Sequence, residues 1–292
     1  MRVIKVKEGS SLREVNWIVE FNSINELVKY LKETPTNDLF KGMYSLESMG
    51  TVSYYETFTG TKSLDEAFEL LSNGWKVEAI KLNKMFQVTK KNMETEQQLK
   101  SVLDIVGFQP VVPLYISGCP MNMVNRKPVN VKSKVITINY FKCISCKIDK
   151  DKQYRESMKC LQLIRAIEEK GYRTNLNMVI SSGEVALKVK LKSANERLNI
   201  SKLAFPMLHA SMIRRIFLRF IEVCPCYKNK EITKGYGYAL ESSKIEKALK
   251  ETKSIGSKDV ILDSLLGAVG ANRNDKGTWV DKIALEKYLE NL

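Results

Sequence analysis

The chain has 292 residues, 44% hydrophobic and 27% charged, and 47 Lys and Arg against 33 Asp and Glu give it a formal net charge of +14. That length and composition read as a soluble globular protein able to bury one large core or two modest ones. No apolar run reaches the ~20 residues of a membrane-spanning helix, and the opening stretch alternates apolar and charged residues instead of carrying a signal-peptide core, so the expected place is the cytoplasm, with no membrane partner.

In chain order, Arg2 to Lys7 and Val15 to Phe21 read as strands. Ser23 then stands three residues before Glu26, the spacing of a capping box, and Ile24, Leu27, Val28 and Leu31 line one helical face behind it. The same device recurs at Ser63 and Glu66, with Leu64, Ala67, Phe68 and Leu71 as the stripe and Gly74 as the stop. SINELVKYL (23–31) and SLDEAFELL (63–71) therefore look alike as two well-capped helices, not as a duplicated unit. Between them, residues 33–62 suggest a long ordered loop or short strands around Val52 to Tyr55.

A polar helix is expected around residues 90–105. After it, Pro110, Pro113, Pro120 and Pro128 remove backbone donors and fix φ, so the segment reads as an extended surface connector. The expected organisation is a small α+β domain over 1–85, a Pro-containing connector over 86–130 and an α/β domain over 131–292.

In the last section Val135 to Phe141 reads as a buried strand, 152–170 as a helix stopped by Gly171, and Tyr172 to Ile180 as the next strand. That β-α-β order favours a parallel pair and a Rossmann-like α/β fold. Ser181-Ser182-Gly183 turns the chain into a strand with Val185, Leu187, Val189 and Leu191 on one side and Lys188, Lys190 and Lys192 on the other. Residues 207–222 form the strongest expected helix, with Leu208, Met212, Ile216, Phe217 and Phe220 inward and Arg214, Arg215 and Arg219 outside. A strand over Asp259 to Leu265 and a helix from near Thr278 complete the chain.

The charge is uneven. Residues 142–234 hold 20 Lys/Arg against 9 Asp/Glu, whereas the residues before them carry 18 against 15 and those after them 9 against 9. Solubility alone does not require such a concentration, which points to an anionic partner. Tyr227, Tyr236 and Tyr238 beside Lys228, Lys230 and Lys234 add aromatic faces able to stack on bases. The bland reading of the same residues is solubilising and edge-protecting lysines and internally paired arginines.

Other candidate chemistry is thinner. Cys143 and Cys146 follow a strand, where a redox dithiol would sit, but no helix starts at once behind them. Joined to Cys224 and Cys226 they would give four thiolates, enough for tetrahedral zinc, against the default of free thiols. His209 is the only histidine, which excludes multi-histidine metal sites and favours a structural or capping role. Gly235-Tyr236-Gly237-Tyr238 and Gly267-Ala268-Val269-Gly270 fit no phosphate-binding motif and read as turns. No cofactor and no catalytic residue are expected.

FTGTKSLDEAFELLSNGW (58–75), VGFQPVVPLYISGCPMNM (106–123), RAIEEKGYRTNL (165–176) and HASMIRRIFLRFIE (209–222), in this order, resemble an uncharacterised family of tailed-bacteriophage proteins. The resemblance implies a phage accessory role in the host bacterial cytoplasm and a C-terminal three-layer domain similar to a von Willebrand A or Rossmann-like fold. The run Lys142 to Cys146 has no carboxylate where a von Willebrand A metal site would want one.

Two readings of function follow, both non-enzymatic. The first is nucleic-acid binding through Lys188, Lys190, Lys192, Arg214, Arg215, Arg219, Lys228 and Lys230. The second is a protein-binding role against an acidic host surface, such as an anti-defence inhibitor of a Gabija-type nuclease complex, with homo-oligomerisation possible. A thiol enzyme at Cys143 or Cys146 is the third.

Overall fold

The computed structural model describes residues 1–6, 14–38, 40, 52–89, 99–128, 135–142, 154, 158, 161, 164–169, 171–182, 184–226, 240, 242–256 and 259–263. The fold is α/β, built on a mixed six-stranded sheet. Its strands are β1 (Arg2–Lys5), β2 (Trp17–Phe21), β6 (Val135–Phe141), β7 (Arg173–Ser182), β8 (Val185–Lys192) and β9 (Val260–Asp263), in the order β1-β2-β8-β7-β6-β9. A second sheet joins β3 (Leu99–Asp104), β5 (Met123–Pro128) and β4 (Gln109–Pro110) in the order β3-β5-β4.

β9, β6 and β7 run parallel, and the helical residues 164–169 (α6) lie between β6 and β7 in the chain, as the β-α-β reading expected. β8 returns antiparallel to β7, β2 runs parallel to β8, and β1 closes the edge antiparallel to β2. The strands of 1–85 thus extend the sheet of 131–292, so the two sections expected as separate domains share one core. The reason is visible in β2, where Ile18 and Val19 point to opposite faces and both are buried. A strand apolar on both faces needs cover on both, which only an interior position supplies.

One face of the sheet, lined by Val19, Phe21, Ile138, Leu176, Met178 and Leu187, packs under a helical layer. That layer contains α1 (Ile24–Glu33), α3 (Leu64–Asn73), α7 (Ile200–Leu208), a π-helix (Met212–Phe217) and α8 (Leu218–Val223). The expected caps are in place. Ser23 Oγ accepts from Glu26 N at 3.1 Å and Ser63 Oγ from Glu66 N at 3.0 Å. In both boxes the Glu reaches one residue beyond the cap, to Asn22 N at 2.8 Å and Lys62 N at 2.6 Å. Gly74 ends α3 with φ of 85°, where a Cβ would also meet Ser201.

The opposite face carries Ile18, Phe141, Val179 and Ala186 beneath α9 (Ser242–Glu251), which contributes Ile245, Ala248 and Leu249. Among the described residues this cover stops partway across the sheet. The remaining positions on that face are Glu20 of β2, Lys188 and Lys190 of β8, Asn175 and Asn177 of β7, and Thr137 and Asn139 of β6, which share the side of Ile18, Ala186, Val179 and Phe141 by the two-residue period.

Four expectations differ from the structure. Residues 52–59 form α2 (Val52–Thr59) instead of strands or loop. The polar helix expected over 90–105 is β3 from Leu99 onward, because its ladder to β5 outweighs a weak helical preference; residues 90–98 lie outside the described residues. The connector folds into the small sheet and α5 (Val112–Ile116), whose early Pro113 costs no intrahelical bond. The 207–222 helix is broken: α7 ends at His209, whose backbone is extended, and the chain resumes as the π-helix and α8. The last helix near Thr278 and the Gly235–Tyr238 and Gly267–Gly270 turns lie outside the described residues.

Candidate binding surfaces

The cations expected on one accessible patch are mostly turned inward. Arg214 and Arg215 are 7% and 8% exposed. Arg214 Nη1 donates to Phe58 O at 2.5 Å with its guanidinium 4.3 Å from the Phe58 ring, and Arg215 donates to Thr59 Oγ1 at 3.2 Å and Thr61 O at 2.8 Å. They close the C-terminus of α2, whose last carbonyls have no partner within the helix. The reading that left them outside had no helix at 52–59 to cover them.

Arg219 does the same for α1, donating to Thr34 O at 3.1 Å and Thr36 Oγ1 at 2.8 Å, with Glu222 at 3.4 Å. Lys192 is buried against Glu168 at 2.6 Å and Thr174 O at 3.0 Å. A register shift explains its place: Leu176 faces Lys192 and Asn177 faces Lys190, so Leu191 is skipped and Lys192 turns to the helix-covered side with Leu176. Lys188 pairs with Glu20 at 3.3 Å and donates to Ser254 O. Lys228 and Lys230 lie outside the described residues.

Lys142, which ends β6 and was not singled out, carries the principle furthest. It is fully buried, and its Nζ donates to the carbonyls of Pro206 at 2.9 Å, Met207 at 3.0 Å and His209 at 3.1 Å, at the C-terminus of α7. Burial presses its pKa well below the ordinary lysine value. Three acceptors need three N–H donors, one more than a neutral amine has, so the carbonyls favour the ammonium against that pressure. Backbone carbonyls thus absorb positive charge that a count of acidic residues leaves unbalanced.

His209 is structural, as expected: Nδ1 accepts from Ser211 N at 3.0 Å, and the ring stacks on Phe205 at 4.9 Å and meets the edge of Trp75 at 4.8 Å. Cys224 and Cys226 are buried, while Cys143 and Cys146 lie outside the described residues. Among the described residues no cluster of three or more His, Cys, Asp and Glu could hold a metal. Among them also, no helix is long and apolar enough to cross a membrane.

Two surfaces remain. The first is a cleft of about 260 Å³ on the uncovered part of the sheet, lined by Glu20, Thr137, Asn175, Asn177, Lys188 and Lys190, with Ser254 and Asp259 at its side. A relay runs beneath it through the buried Asn139: Asn177 Nδ2 donates to Asn139 Oδ1 at 2.9 Å, and Asn139 Nδ2 to Asp259 Oδ2 at 3.1 Å. The asparagines went unnoticed because Val135–Phe141 reads as a buried strand and Tyr172–Ile180 simply as the next one. Their signal is the alternation itself, since Thr137 and Asn139, and Asn175 and Asn177, occupy every second position.

The second surface is the arm of residues 99–128. None of its residues 101–126 is buried, and neither hydrophobic core takes a residue from it. It nevertheless holds eight of the thirteen exposed large hydrophobic residues among those described. Ile105, Val106 and Phe108 occupy the turn between β3 and β4, and Val112, Tyr115 and Ile116 share one side of α5 by helical spacing. The turn is tightly built: Phe108 N donates to Val124 O at 2.9 Å, a Cβ on Gly107 would run into that carbonyl, and Arg126 stacks on Phe108 at 4.9 Å. These apolar groups are thus held in an ordered frame and left exposed.

Over residues 5–292 the chain matches the family described as a domain of unknown function (DUF7192). No curated protein and no solved structure matches it.

Proposed function

The chain belongs to the DUF7192 family, and we propose that it acts by binding, docking the arm of residues 99–128 onto a different protein whose contact face is apolar with a carboxylate rim. The observation that carries this reading is the exposure of Val106 at 73% and Ile116 at 78% on a hydrogen-bonded frame. Charge selects the kind of partner. Residues 99–128 contain Lys100, Arg126 and Lys127 against Asp104, and the whole chain carries +14, so a second copy would bring like charges together. An acidic rim on another protein has the opposite effect and speeds encounter.

An extended nucleic-acid track is less well supported. Of the eight cations expected to form it, five are engaged internally, Lys228 and Lys230 lie outside the described residues, and Lys190 alone of the described ones is left without an internal partner.

A photo-crosslinking amino acid placed at Tyr115 or Ile116, with Glu69 on α3 as the control position, tests the proposal in the native cell. The expected result is one discrete, nuclease-resistant adduct with an acidic protein from the arm positions only, lost when Ile105→Asp and Val106→Asp are added. No adduct, an adduct of twice the chain's own mass, a basic partner, or equal labelling from Glu69 would each overturn it.

A further inference from the structure

We infer that the cleft on the open face of the six-stranded sheet is a binding site for a small oxyanionic ligand, with Lys190 as its charge-bearing contact. The argument starts from how the lining is already satisfied. Asp259 can only accept hydrogen bonds, and its Oδ2 receives Asn139 Nδ2 at 3.1 Å and Gly256 N at 3.0 Å. Asn139 must therefore turn its oxygen to Asn177, which donates to it at 2.9 Å and keeps a second N–H. Asn175 accepts Ala194 N on Oδ1 at 2.7 Å, so its amide nitrogen points the other way, toward Thr137 Oγ1 at 3.5 Å, again with an N–H to spare.

The charges follow the same pattern. Glu20 is answered by Lys188 at 3.3 Å and Arg2 at 3.7 Å, and Asp259 by the two donors above. Lys190 is the one charged group of the lining with no partner among the described residues. It stands directly across the β7–β8 ladder from Asn177, which brings their Cβ atoms to about 5 Å. An unanswered ammonium beside two spare amide N–H groups is a donor set, and what completes it is a ligand rich in acceptors and negative in charge. The volume of about 260 Å³ suits a phosphate or carboxylate on a small organic group, not a polymer strand.

Calorimetric titration of the full chain at low ionic strength, with inorganic phosphate, adenosine monophosphate and acetate as separate probes, tests this. Saturable one-to-one binding of at least one probe is expected, and the strongest of the three identifies the source as free phosphate, phosphate ester or carboxylate. Lys190→Gln should weaken it roughly tenfold or more, and Lys76→Gln, at an exposed position that opens α4 (Lys76–Thr89), should leave it unchanged. No saturable binding below about 10 mM, or equal losses in both variants, would overturn the inference. Because neither variant touches the arm, this outcome is independent of the crosslinking result.

Discussion

The body and the arm treat their side chains in opposite ways. In the body, Lys142, Lys192, Arg214 and Arg215 are buried and end on backbone carbonyls or a carboxylate, whereas in the arm Ile105, Val106, Phe108 and Ile116 face water. Burial therefore tracks what each group can be given as a partner more closely than its polarity. A cation at a helix C-terminus finds oriented carbonyl dipoles that offset part of what it loses by leaving water. An apolar side chain on a thin sheet that no second layer among the described residues covers finds nothing there to pack on, however hydrophobic it is.

The sharpest way to break that contrast is to remove the most deeply placed cation. Lys142→Ala should cost about 3–5 kcal/mol, because it leaves three helix-end carbonyls unpaired and opens a cavity. Lys142→Met fills the space but not the acceptors, and about 1–3 kcal/mol of loss is expected. Urea denaturation measures both, and wild-type stability in either would mean that the buried ammonium contributes nothing. Ser63→Ala comes next, at about 1 kcal/mol, through the lost bond to Glu66 N in the body's α3. At the other end, Val106→Asp should leave the denaturation midpoint within about 0.5 kcal/mol of wild type, since it takes no packing from the fold. A large loss there would show that the arm's apolar groups are structural after all.

Much of the body was legible. The Ser23 and Ser63 caps, the Gly74 stop, the parallel β6–β7 pair and the two-sided β8 were all readable, because capping chemistry and side-chain period are local properties. The fate of Arg214 and Arg215 was not. It depends on α2, more than 150 residues earlier in the chain, whose run VSYYETFT carries only a weak stripe. The polar cleft lay between these cases. Its lysines were visible as an alternating row, but the loss of Lys192 from that row needed a bulge that only pairing with β7 reveals.

By itself the amino-acid sequence determined where α1 and α3 begin and stop, how side chains alternate along a strand, and that positive charge gathers between residues 142 and 234. These follow from bond rotation, periodicity and composition, which act over a few residues. Tertiary structure alone decided which of those charges meet solvent, that β1 and β2 join the distant sheet, and that the arm keeps its apolar groups exposed. Each of these depends on what packs opposite a side chain, and that neighbour comes from chain segments far away in sequence.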